Sequence, residues 1–287
     1  GAGKPTHVKI PNGLARGVRM ASDFLMALQL TGAAKAASIA NLQLRLPVVV
    51  VGGGLTAIDT ATESLAYYTR QVEKFLTRYE TLAAERGEAA VRAAWTLEEG
   101  EIAAEFIGHA RAIRAEREAA AAAGRPARLA QLLDSWGGAT IAYRRRLIDS
   151  PSYTLNHEEV AKALEEGVRF AEGLTPVAVE IDAWGHARAL RVERARDGAR
   201  EAIELPARAV LIAAGTQPNT VLAREDPDHV RLDGRYFAAV DEDGRRISPE
   251  RAAAKPARAD VLMAIEPDGR ALSFFGDLHP SFSGNVG

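Results

Sequence analysis

An α/β fold built on a parallel sheet, carrying a β-meander and a helical insertion, is what this sequence predicts. Three observations point to it. The run Val48–Val51 is an unbroken aliphatic stretch ending in the triplet Gly52-Gly53-Gly54, and a helical pattern follows at once. Short β-rich runs recur downstream, at Ala139–Tyr143, Val168–Ala171 and Arg208–Ala213, each bounded by turn residues. Between Val48–Val51 and Ala139–Tyr143 lies an Ala/Glu/Arg-rich stretch with the apolar spacing of helices. Strands alternating with helices favour a parallel sheet, and continuous apolar strands favour burial on both faces.

The elements follow in order. Residues 1–46 read as a lead-in, turn-rich at its start, with an amphipathic helix expected over Gly17–Leu30 that offers Val18, Phe24, Leu25 and Leu28 to one face. The first strand and its helix come next. Residues 67–137 interrupt the alternation. There Val72, Phe75, Leu76 and Tyr79 repeat at helical spacing, as do Ile102, Phe106, Ala110 and Ile113, so two or three helices packed as a hairpin are expected. A charged helical face of this kind is ordinarily solvated, and a partner-docking surface is the alternative. The strand Ala139–Tyr143, a helix over His157–Glu166 and the strand Val168–Ala171 resume the pattern. Pro176–Ile181, Ala187–Arg194 and Ala202–Leu205 read as a three-stranded meander joined by turns, before the buried strand Arg208–Ala213. Residues 220–271 read as irregular, with a last strand at Leu272–Phe275. The division expected is 1–46, 47–219 with the insertion at 67–137, and 220–287.

Composition narrows the function. The chain has 287 residues, and 47% hydrophobic content supports a substantial core. A net charge of -2 gives no reason to expect nucleic acid as partner. With no cysteine, neither a disulfide framework nor a thiolate-ligated iron–sulfur cluster can reside in this chain. No apolar run is long enough to span a membrane, and a cytoplasmic location is the simplest expectation. No histidine pair stands at metal-ligand spacing, so no metal is expected. No Ser/His/Asp set is legible, so no catalytic side chain is assigned.

The chemistry sits at strand ends. Gly52, Gly53, Gly54, Leu55, Thr56 and Ala57 match the G-x-G-x-x-G/A arrangement that holds a dinucleotide diphosphate. Gly52 suits the tight turn, Gly54 lets a phosphate approach the backbone, and Ala57 lets the helix lie close to the sheet. The helix N-terminus then presents amides to the anion. At the end of the second strand stand Arg144 and Arg145 rather than an acid. Guanidinium groups suit a 2′-phosphate, which favours NADPH over NADH. Glu158 opens the next helix, where capping is the bland role and a contact to a ribose or to the arginines the sharper one; Asn156 is its expected N-cap. Gly215, Gln217 and Pro218 follow a buried strand and permit close backbone approach to a cofactor. Gly276 and Asp277 repeat the arrangement of a glycine and a carboxylate at a strand end.

Taken in order, these motifs resemble the small subunit of glutamate synthase and its relatives, flavoproteins with two dinucleotide-binding domains. The lead-in around Gly17-Val18 and Ala21–Leu25 is similar to that family's crossing segment from its FAD domain, and Gly52–Asp59 to its NAD(P)H loop. Gly215–Asn219 is similar to its strand-end glycine motif. The resemblance implies a Rossmann-like NAD(P)H domain flanked by partial FAD-domain segments, with Asp277 holding the FAD ribityl chain. It implies hydride passing from NADPH to FAD, and electrons passing to an iron–sulfur or ferredoxin-type acceptor. Leu55 stands where that family often has Asn, and the insertion is foreign to its simpler members. With no first GxGxxG before Pro47, the chain reads as an internal piece, expected to bind nucleotide but to turn over little alone. A nucleotide-binding or assembly module, with the insertion docking a partner subunit, is the second reading. A self-contained NAD(P)-dependent dehydrogenase is disfavoured, because no Tyr-x-x-x-Lys or catalytic His constellation is evident.

Overall fold

The computed structural model describes residues 3–196, 199–249, 260–266, 268–274 and 276–281. They form two compact units, His7–Ala214 and a second made of Gly1–Thr6 with Gly215–Gly287.

The larger unit is built on a parallel sheet. Its strands are β1 (Val18–Met20), β2 (Val48–Val51), β3 (Ala139–Tyr143) and β4 (Arg169–Glu172), followed by an antiparallel meander of β5 (Leu174–Ile181), β6 (Ala187–Arg196) and β7 (Ala199–Pro206), and then β8 (Ala209–Ile212). The parallel sheet runs in the order β1-β8-β2-β3-β4, with the meander as a separate three-stranded sheet. The alternation of side chains explains why all four valines of β2 are buried. Val48 and Val50 join the helices in one apolar cluster, whereas Val49 and Val51 join Leu174, Val179, Leu190 and Val192 of the meander in another. The sheet is thus covered on both faces, by helices on one side and by a second sheet on the other.

The helices are α1 (Ala21–Thr31), α2 (Leu55–Arg86), α3 (Glu88–Ala93), α4 (Leu97–Ala122), α5 (Leu129–Ser135) and α6 (Pro151–Glu165). The insertion is the expected hairpin. Its apolar stripes meet between α2 and α4, where Phe106 lies edge-on to Tyr68 and to Phe75 at ring separations of 6.0 and 5.7 Å. Thr96 and Glu99 close a capping box at the start of α4, satisfying its first amides reciprocally. Behind that hairpin, Tyr68 and the Nδ1 of His109 share a 2.6 Å hydrogen bond, and the His109 ring stacks on Trp136 at 3.8 Å.

A second stripe of α2 is polar and holds the segment leading into β2. Tyr67 accepts the Leu42 N–H at 2.9 Å, and Gln71 both accepts from Leu44 N and donates to Leu44 O at 2.8 Å. Lys74 donates to the carbonyls of Ala33 and Ala40, and Arg78 to that of Ser38. Spacings of four, three and four residues place these side chains on one helix face. Backbone groups that no strand or helix pairs are satisfied there instead.

Three elements differ from expectation. The helix foreseen over Gly17–Leu30 begins only at Ala21, because Val18–Met20 pairs in parallel with β8 as an edge strand. The helix foreseen from His157 begins at Pro151, where Ser150 caps it, and is broken by non-helical backbone at Asn156. Asn156 Oδ1 then accepts from Glu159 N, so the expected cap is present at the second start. The stretch read as irregular carries a short helix, Leu222–Glu225, and three small hairpins: Leu232–Asp233 with Tyr236–Phe237, Ala239–Val240 with Arg246–Ile247, and Leu262–Ile265 with Ala271–Ser273. The strand expected over Leu272–Phe275 is therefore Ala271–Ser273, and Phe275 lies outside the described residues.

Candidate functional site

The glycine turn sits where the strand order reverses. β2 is followed in sequence by β3 on one side, while β8 lies on the other. A crevice outside the carboxyl ends of parallel strands at such a point is where ligands bind in open α/β sheets.

Each glycine answers to a different neighbour. A Cβ on Gly52 would come within 2.3 Å of the Ala213 carbonyl oxygen, at the end of β8. A Cβ on Gly53 would meet the Tyr143 ring at 2.4 Å, so the aromatic ring lies against the turn itself. A Cβ on Gly54 would meet nothing within 4 Å. The first two positions are closed by protein, and the third faces open space. Gly54 is also the N-cap of α2, and no side chain caps that end. The first-turn amides of a 32-residue helix are therefore presented there, with the positive end of its dipole. Ala57 is fully buried, which fits close helix-to-sheet packing, whereas Thr56 is exposed and Leu55 half-buried.

The start of α6 braces the turn. Ser152 N donates to Gly53 O at 3.0 Å. The hydroxyls of Ser150 and Ser152 share a 3.1 Å hydrogen bond, and both residues are fully buried. One turn into α2, partial burial and then the Glu159 charge raise the Asp59 carboxyl above its ordinary range.

At the end of β3 the three arginines behave differently. Arg146 closes a fork on Asp149, with Nε and an Nη at 2.8 and 3.1 Å from the two carboxylate oxygens. The side chains of Arg144 and Arg145 are exposed and form no ion pair among the described residues. Only the backbone of Arg145 is engaged, its carbonyl accepting from Gly173 N. Two guanidinium groups without an ion pair thus stand one and two residues beyond Tyr143. Glu158 is exposed on the second half of α6, and its side chain has no partner among the described residues.

The remaining expected site residues belong to the smaller unit. Gly215 adopts φ 92° and accepts from Thr6 N at 2.9 Å. Gln217 is exposed in a two-residue strand paired with Lys4–Pro5, and Pro218 is buried. Gly276 adopts φ 68° in a short 3₁₀ turn; the Asp277 side chain lies outside the described residues. No group of three or more His, Asp or Glu side chains that could hold a metal occurs among the described residues. Among the described residues, no helix is long and apolar enough to cross a membrane.

Sequence reasoning missed three residues of this site: Tyr143 as the cover of Gly53, and Ser150 and Ser152 as its brace. Ser150-Pro151 carried a readable signal, a capping residue followed by proline at the first helical position. The Tyr143 contact joins two strand ends far apart in sequence and has no local signature.

Comparison with known proteins adds the following. No family model matches the chain. An uncharacterized protein of Rickettsia prowazekii (strain Madrid E) is 44% identical over 186 residues, 65% of this chain and 24% of that protein. The chain therefore spans about a quarter of that relative's length. Among solved structures it is similar to an FAD-dependent pyridine nucleotide-disulphide oxidoreductase from Desulfovibrio vulgaris, at 19% identity and a TM-score of 0.41, over 85% of this chain and 41% of that one. It is also similar to the ferredoxin reductase for the CYP199A2 system from Rhodopseudomonas palustris, at 11% identity and a TM-score of 0.43, over 97% and 47%. It spans less than half of either chain.

Proposed function

We propose that this chain is the NAD(P)H-binding part of an FAD-dependent oxidoreductase of the glutamate synthase small-subunit type, with NADPH as the preferred nucleotide. The observation that carries the reading is the glycine turn: closed at Gly52 and Gly53, open at Gly54, and set at the strand-order reversal against the uncapped start of α2.

The residues present fit a dinucleotide. The diphosphate would lie over Gly54, against the amides of Leu55 and Thr56, where a side chain at position 54 would otherwise intrude. Arg144 and Arg145 would hold the adenosine 2′-phosphate as planar charged donors. Arg146 is committed to Asp149 and takes no part. Tyr143 and Ser152 act on the turn rather than on the ligand, fixing Gly53 from its two sides. Glu158 is assigned the ribose or the arginine pair, Gly215, Gln217 and Pro218 close backbone approach to a cofactor, and Gly276 and Asp277 the FAD. When bound, the two cofactors supply hydride transfer and onward electron flow to an iron–sulfur or ferredoxin-type acceptor, and the protein supplies position and charge. No side chain is assigned a proton transfer.

Titration of NADPH and NADH against the purified chain tests this, read by nucleotide fluorescence. Each charged hydrogen bond to the 2′-phosphate contributes about 1.5–3 kcal/mol. Arg144→Ala and Arg145→Ala should therefore each weaken NADPH about tenfold or more and leave NADH nearly unchanged. Gly54→Asp should weaken both. Equal binding of the two nucleotides, insensitive to all three substitutions, would remove the assignment.

A further inference from the structure

The smaller unit contains a cavity of about 590 Å³ that shares only Pro218 with the residues assigned to the nucleotide. Its volume falls within the range of small-molecule sites. Lys4, Arg224 and Arg231 line it, together with Asn219 and Thr220, and no acidic side chain does. Its apolar wall includes Val230, which is 1% exposed and belongs to the unit's own core with Phe237, Ala239, Met263 and Phe274. Val230, with Ala223 packed against the same cluster, anchors one side of the cavity, and Lys4, Arg224 and Arg231 stand exposed around it.

The charge balance is the telling feature. Many of the described arginines are matched by acids, as in the pairs Arg114–Glu80, Arg125–Glu116 and Arg208–Asp182. Lys4, Arg224 and Arg231 form no ion pair among the described residues. The acids beside them are committed elsewhere or left aside. Asp226 is taken by His229 at 2.8 Å and Asp233 by Arg246 at 3.4 Å, while Glu225 and Asp228 are exposed and pair with neither arginine. Three like charges around one concavity repel one another, and the low-dielectric wall concentrates their field. A ligand with two or more negative charges removes that repulsion.

We infer that this cavity binds a small, multiply charged anion, a phosphorylated or polycarboxylate metabolite, at a site separate from the glycine turn. Arg224 and Arg231 supply planar donors that match phosphate and carboxylate oxygens, and Lys4 supplies a point charge. Asn219 Oδ1 accepts from Val221 N, which leaves the amide nitrogen of that side chain as a further donor. The apolar wall gives room for an uncharged body of modest size.

Calorimetric titration of the whole chain with sodium pyrophosphate and, separately, with citrate tests the inference and distinguishes the two anion classes. Both are run at low ionic strength. One site per chain is expected for at least one probe. Arg224→Ser and Arg231→Ser should each weaken it about tenfold or more, and Lys4→Ser should weaken it less. Arg245→Ser, which breaks an exposed pair with Asp243 in the same unit, should leave it unchanged. Gly54→Asp must also leave it unchanged, since that substitution blocks the nucleotide turn of the other unit. Circular dichroism verifies that each variant is folded, and Arg224→Lys, which keeps the charge, should retain part of the affinity. Loss of the signal in Gly54→Asp would place the anion in the nucleotide turn and overturn the inference. Failure of both probes to bind would do the same, as would binding indifferent to the three cations. If the variants change the oligomeric state while no probe binds, the cavity is a protein contact surface and the inference falls. None of these outcomes bears on NADPH binding, which is read separately.

Discussion

Gln71 offers the sharpest energetic test of how the larger unit is held together. It is 2% exposed, as is Leu44, whose N–H and C=O it satisfies together through 2.8 Å hydrogen bonds. Gln71→Met keeps the length and volume of the side chain and removes both bonds. Water cannot reach the two backbone groups left behind. A buried polar group stripped of its partner costs about 1–3 kcal/mol, so the pair sets a range of about 2–6 kcal/mol. The neighbouring anchors from Tyr67 and Lys74 keep the segment in place while allowing it to yield locally, which favours the lower half of that range. With a urea dependence of about 2 kcal/mol per molar, the unfolding midpoint should fall by about 1–2 M. Urea titration followed by far-ultraviolet circular dichroism measures this, with Gln131→Met on the exposed side of α5 as the control, expected within about 0.5 kcal/mol of the parent. If Gln71→Met proves as mild as Gln131→Met, the polar stripe of α2 does not stabilise the segment and the reasoning fails.

Three further outcomes follow from the same geometry. Gly53→Ala places a methyl group against the Tyr143 ring and should lower stability by about 1–3 kcal/mol; Tyr143→Ala in the same chain should restore most of it, and a strictly additive double variant in thermal melts would contradict the contact. Ser150→Ala removes the cap on Tyr153 N and a bond to Ser152, so a loss of about 1 kcal/mol and weaker NADPH binding are expected; unchanged affinity would show that the brace does not reach the turn. Burial holds the His109 and His186 imidazoles below their ordinary range, so the folded protein takes up protons there less readily than the unfolded chain. Stability should be complete above the ordinary value of 6.5 and decline as the pH falls below it. His109→Phe should make that decline shallower in urea titrations between pH 7.5 and 5, and identical slopes would refute the assignment.

Some of this architecture can be read from the residues and some cannot. The aliphatic run Val48–Val51 and the glycines after it are local, so both the strand and the turn are legible, and Ala139–Tyr143 is legible for the same reason. Val18-Arg19-Met20 misleads because three residues at an edge give too little alternation to stand against the apolar spacing of Phe24 and Leu28. The stripe Tyr67, Gln71, Lys74 and Arg78 is hidden because its targets are backbone atoms of residues 33–44, and a carbonyl oxygen leaves no mark on the sequence. The start of α6 carries two capping signals, Ser150-Pro151 and Asn156, and choosing one conceals that both operate across a break. Within the site, the exposure of Arg144 and Arg145 is foreseeable from their charge. Their freedom from partners is not, since it depends on Asp149 choosing Arg146.

The 32 residues of α2 form one rod of about 48 Å. Its first turn frames the open glycine, and its far half is the inner arm of the hairpin with α4. The insertion is therefore not a bead threaded onto a finished domain. Excising residues 67–137 would saw through the beam on which the glycine turn is mounted, and would take Tyr68, Val72 and Leu76 out of the core that Val48 and Val50 share. A version of this architecture without the hairpin would have to end that beam earlier and roof it with other side chains, so one helix ties the glycine turn and the hairpin into a single framework.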